Sequence, residues 1–198
     1  MRFALAEVHR FTSTFMRIRS FSLTHPYSRF LLIGAGIALL WWLVYEQFVG
    51  PDGRLDAALS VNVARGAARG LRAVGFAAAT AAGGPTVVTM AGQPAVSVGI
   101  ACNGLVLYVL FAGFVLAYPG SVRRKAWFIP FGIGVVYLLN VARVAALALN
   151  HTYSYHTLDF NHHYTFTFVA YAAILSLWLW WVQLGTDASI SYESEPVL

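Results

Sequence analysis

The chain has 198 residues, of which 59% are hydrophobic and 11% charged, with a formal net charge of +5. That balance is far more apolar than a soluble domain of this length, and the length fits one domain. The basic residues flank apolar runs or sit in one loop and form no aromatic-interleaved patch, so nucleic acid is not an expected partner; a lipid bilayer is.

In chain order, residues 1–29 carry Arg2, Arg10, Arg17, Arg19 and Arg29, with Phe11, Phe15 and Ile18 at i, i+4, i+7. This is the pattern of a basic amphipathic segment on the cytoplasmic face of a membrane. Residues 30–49 are long and apolar enough for a first span, read as an uncleaved anchor. Residues 50–99 form an outer segment. Within it 56–82 reads as a surface helix, with Arg65, Arg69 and Arg72 along one stripe. After Gly83-Gly84-Pro85, the runs TVVTM and AVSV flank a short AGQP connection and predict a β-hairpin.

Residues 100–118, 126–149 and 164–184 are the expected spans two, three and four, and Arg143 is the one charge within them. The loop 119–125, PGSVRRK, holds Arg123, Arg124 and Lys125 and marks the cytoplasmic side. Residues 150–163 then form an outer loop, and 185–198 an acidic cytoplasmic tail expected to lack order. The expected fold is therefore a single all-α integral membrane domain of about four transmembrane helices. It carries an outer amphipathic helix and a small β-hairpin before the second span, and both termini are cytoplasmic.

This topology brings three polar groups to one depth. Cys102, the only cysteine, opens span two on the outer side; it excludes an intramolecular disulfide or a CxxC site. Arg143 lies near the outer end of span three, and His162 and His163 stand at the outer start of span four. With a rise of about 1.5 Å per residue, these groups fall within roughly 10 Å in depth. A charge inside a span is costly unless it faces a polar interior, which makes Arg143 a functional candidate. Asn140, three residues earlier, shares its helix face and could orient the guanidinium. A nearby arginine and a helix N-terminus would both favour the thiolate of Cys102, and Gly104 would allow a close approach to the sulfur. Because helical neighbours point about 100° apart, only one histidine faces the bundle; His163 is favoured, with His162 the alternative.

An outer hairpin leading to Cys102-Asn103-Gly104, then Asn140-Val141-Ala142-Arg143, then a histidine opening the last span, resembles the exosortase and archaeosortase family. The resemblance covers about half of the chain, roughly Thr86 to Trp181. It implies a cysteine transpeptidase of the cell inner (cytoplasmic) membrane, with its active site on the outer side and no cofactor. Its partners would be a membrane-anchored precursor protein with a C-terminal sorting signal and an envelope acceptor. By the same resemblance Cys102 is the nucleophile, Arg143 the second essential residue, and the NHHY histidine, His163 or His162, the third. The chain is shorter than many bacterial members, which leaves the substrate subclass open.

Two other readings of these residues stand beside this one. In the first, a non-enzymatic subunit of an envelope export or polysaccharide system uses Arg143 and Asn140 to hold an anionic head group. In the second, His151, His156, Asp159 and the histidine pair bind a metal, although their spacing is irregular. Haem is disfavoured, because no other in-span histidine could supply an opposing ligand.

Overall fold

The computed structural model describes residues 26–153 and 166–193, so the amphipathic pattern at Phe11, Phe15 and Ile18 lies outside the described residues. Helix α1, Pro26–Val44, is apolar along its length. It widens into a π-helical turn at Tyr45–Val49 before a last turn at Gly50–Asp52. Helix α2, Arg54–Ala73, is next in the chain. Three strands come after it, β1 at Ala78–Ala81, β2 at Gly84–Met90 and β3 at Gln93–Ser97. A 3-10 turn at Ile100–Cys102 leads into helix α3, Leu105–Ala117, and then α4, Val122–Tyr153. Helix α5, Phe166–Glu193, continues past the expected span end at Leu184.

Among the described residues, two helical stretches are long and apolar enough to cross a bilayer, Ser28–Asp52 and Val122–Tyr153. The apolar helices Leu105–Ala117 and Phe168–Leu184 are shorter. Thirteen residues of α3 reach about 20 Å, against a hydrocarbon core of about 30 Å. The shortening has a local cause. Expected to run from residue 100, the helix instead starts at Leu105, because Gly104 adopts φ +87° and interrupts the helical path.

The outer segment departs from expectation at residues 74–82. The alanine-rich run there predicts helix, yet α2 stops at Ala73 and β1 begins at Ala78. Gly75, at φ +94°, sets the stop. The Phe76 N–H donates to the Leu71 carbonyl and the Gly75 N–H to the Arg72 carbonyl, the paired bonds that end a helix on a left-handed glycine. The freed chain pairs antiparallel with β2, Ala79 opposite Thr89 and Thr80 opposite Val88, giving a three-stranded sheet in the order β1-β2-β3. The expected hairpin forms its other half, Val88 opposite Val96. Its connection is only Ala91-Gly92, both at positive φ, which suits a two-residue hairpin turn. Pro94 lies in β3, at the sheet edge beside a register shift, where its missing N–H is tolerated.

Two apolar clusters hold these parts together. In the first, Val63, Ala64, Ala67, Ala68 and Leu71 of α2 pack on Val88 and Met90 of the sheet and on Val144 and Ala148 of α4. Arg65, Arg69 and Arg72 line the exposed opposite face, as their spacing requires. The second joins Tyr108, Phe111 and Val115 of α3, Phe128 and Val136 of α4, and Ile174, Leu177 and Trp181 of α5. Outside these clusters Leu39, Leu40, Trp42, Leu138 and Leu179 are all exposed, an apolar exterior suited to lipid. At the other end of the bundle, Arg124 donates to the Leu184 carbonyl, and Lys125 Nζ donates to the Leu116 carbonyl at 2.8 Å.

Close packing between α3 and α4 depends on Gly132, where a Cβ would overlap the fully buried ring of Phe111. Replacing Gly132 with alanine is expected to cost about 1–3 kcal/mol through overpacking. Gly134, which has nothing within 4 Å of its Cβ position, is the control. Thermal unfolding in detergent checks this: the melting temperature should fall clearly for Gly132→Ala and little for Gly134→Ala.

Candidate active site

The residues around Cys102 are placed by a short break between sheet and helix. Val98, whose N–H donates to the Thr86 carbonyl, brings the chain out of the sheet. The Cys102 N–H then donates to the Gly99 carbonyl at 2.9 Å and closes the 3-10 turn, leaving the side chain half-buried. Asn103 caps the start of α3: its Oδ1 accepts from the Leu105 N–H at 2.9 Å, satisfying one of the free donors at that helix end.

Helix α4 closes on this turn from the side. Asn140 Nδ2 donates to the Cys102 carbonyl at 2.8 Å, and Arg143 Nη2 points at Cys102 Sγ from 3.7 Å. The two α4 residues, three apart, thus hold the backbone and face the sulfur of one cysteine. The sequence expectation that Asn140 orients the guanidinium is corrected here: the partner of its amide is the carbonyl of Cys102. Arg143 Nε is buried with no hydrogen-bond partner, so the same guanidinium keeps one donor uncommitted.

Gly104 has a different use from the one its position suggested. It is buried, and a Cβ there would stand 2.7 Å from Tyr108 Oη and 3.2 Å from Asn140 Nδ2. The space freed by the absent side chain admits these two protein groups, and with φ +87° the position is strained for any other residue.

A cavity of about 340 Å³ opens beside the turn. Arg143, Asn140 and Asn103 supply its polar wall, while Ile100, Leu105 and Val106 with Tyr171 of α5 supply apolar surface. The cavity thus sets the Arg143 guanidinium and two side-chain amides against an otherwise apolar wall.

His162 and His163 lie outside the described residues, as do His156 and Asp159. Cys102, Arg143, Asn140 and Gly104 are brought together, and the described geometry is that of these four. Three residues that sequence reasoning gave no role join them: Asp56, Asn103 and Tyr45. Asp56 of α2 is 2% exposed; its Oδ1 accepts from Asn103 Nδ2 at 2.6 Å and its Oδ2 from the Tyr45 hydroxyl at 3.1 Å. The signal was available: Asp56 falls in phase with Ser60, Val63 and Ala67 on the buried stripe of α2. A carboxylate on an apolar stripe needs a partner.

Beyond the geometry, residues 23–181 match the family model described as transmembrane exosortase. No curated protein and no solved structure matches the chain significantly.

The guanidinium at 3.7 Å gives a direct expectation. Replacing Arg143 with glutamine should slow alkylation of Cys102 by iodoacetamide about tenfold, because the attacking sulfur loses the cationic donor 3.7 Å away. Intact-mass measurement of the purified protein reads the rate, and with one cysteine every adduct is at Cys102.

Proposed function

The chain belongs to the transmembrane exosortase family, and from that premise we propose that it is a cysteine transpeptidase or protease acting on membrane-anchored precursor proteins. The observation that carries this reading is the convergence of Arg143 and Asn140 on Cys102, at 3.7 Å to the sulfur and 2.8 Å to the carbonyl. An apolar bundle has no packing need for a guanidinium aimed at a thiol.

In this reading the bundle crosses the membrane about four times, with the short apolar helices α3 and α5 completing the set. Both termini are cytoplasmic and the domain is the inner membrane's. The depth of the site is consistent with its chemistry. Arg123 and Arg143 are twenty residues apart on α4, which is about 30 Å of helix and matches the hydrocarbon thickness. With Arg123 at the cytoplasmic interface, Arg143 reaches the outer one, where water and an acceptor can arrive.

A precursor's C-terminal transmembrane helix docks beside the bundle, so that its position in the lipid sets which peptide bond meets Cys102. The thiolate attacks that carbonyl carbon, and the charge that develops on oxygen is stabilised by the Arg143 guanidinium. Collapse of the adduct forms the Sγ–C bond of a thioester as the C–N bond breaks. The departing amine takes a proton from the histidine, His163 or its neighbour His162. An amine or other nucleophile from an envelope acceptor then attacks the thioester, attaches the protein and restores the thiol; water in that role releases the protein instead.

The test is in cells, with an epitope-tagged precursor bearing a candidate sorting signal. Wild type should shorten the precursor on an immunoblot, while Cys102→Ala and Cys102→Ser leave it full length with normal insertion. Processing by both variants at the wild-type rate would remove Cys102 as nucleophile. Hydroxylamine should capture the acyl group released from Cys102 of the wild type alone.

A further inference from the structure

Asp56 brings a carboxyl group to a site otherwise built around a guanidinium and a thiol, and no basic side chain pairs with it among the described residues. Both of its oxygens accept hydrogen bonds, one from Asn103 Nδ2 and one from the Tyr45 hydroxyl. Asn103 is itself 1% exposed, and its Oδ1 is committed to the Leu105 N–H, so its amide must present the Nδ2 side to Asp56. Only an acceptor suits that side. A neutral amide at position 56 could offer a donor as readily, and the Asn103 amide would lose its single orientation.

We propose that Asp56 is a positioning residue for the cysteine. It locks the Asn103 amide, and through it the turn that holds the Cys102 sulfur against Arg143. The lock spans three remote segments: the π-helical turn ending α1 through Tyr45, the buried face of α2 through Asp56, and the residue after the cysteine, 47 positions further on. The Tyr108 hydroxyl adds a weak contact to the Asn103 carbonyl at 3.5 Å. With the turn clamped by Asp56 on one side and by Asn140 on the other, the sulfur keeps its place beside the guanidinium.

The role of Asp56 rests on the proposed function for its meaning, but its test does not need a substrate. Asp56→Asn, nearly isosteric, is purified as the full chain in detergent, and alkylation of Cys102 by iodoacetamide is timed at neutral pH. Positioning predicts alkylation about tenfold slower than wild type, approaching the Arg143→Gln rate, because the sulfur leaves its cation. If Asp56 acted only as a nearby negative charge, or only as a structural brace whose loss exposes the thiol, alkylation would become faster. A faster or unchanged rate overturns the proposal.

Tyr45→Phe removes one donor to Asp56 and decides the matter where Asp56→Asn does not fold. It should slow alkylation about threefold, and an unchanged rate there counts equally against the lock. With a processing assay, Asp56→Asn should lower kcat about tenfold with KM within about twofold. Should wild type process no precursor, the proposed function falls, while the alkylation ranking still stands or fails by itself.

Discussion

A guanidinium near the edge of an apolar bundle is stable only where polar groups or water meet it, and Arg143 meets a sulfur on one arm and open cavity beside the other. Around that placement this end of the molecule is organised. Asn140, one turn earlier, uses the same face of α4 to hold the cysteine's carbonyl, and Asn103 on the far side of the turn is held by Asp56. A buried Arg143 Nε without a partner would be hard to explain as packing. In the proposed function it is a donor kept for charge that appears only during the reaction.

Helix α4 makes this arrangement possible because it belongs to both apolar clusters. Its first half packs Phe128 and Val136 against α3 and α5, and its last turns pack Val144 and Ala148 against α2 and the sheet. At 32 residues it is about 48 Å long, more than a bilayer requires, and the surplus serves as the wall on which α2 and the sheet pack. The Tyr137 hydroxyl strengthens that union, donating to Asn62 Oδ1 of α2 at 2.6 Å. The candidate site lies where the two clusters meet.

Much of this was legible in residue patterns, and the failures have physical causes. The hairpin, the amphipathic stripe of Arg65, Arg69 and Arg72, and the pairing of Cys102 with Arg143 all arise from periodicity and depth, which local sequence encodes well. The helix expected over 74–82 failed because alanine propensity is weak beside a left-handed glycine and a sheet partner, and neither strand pairing nor φ is written in composition. The helix start at Ile100 failed for a related reason: in an apolar run, the Asn103-Gly104 break outweighs hydrophobicity. Asp56 was missed because its partners, Tyr45 and Asn103, are distant in sequence. Only its phase on the apolar stripe announced it.

The brevity of α3 has a consequence for the medium around the site. As a span, in the proposed function, a helix that fills only about two thirds of the hydrocarbon thickness would oblige the neighbouring lipids to thin or the preceding turn to finish the crossing. Because the break falls at the cysteine end, such thinning would lie beside the cysteine and not at the far end of the helix. Head groups and their hydration drawn inward at that point would give the turn of the cysteine an aqueous inlet.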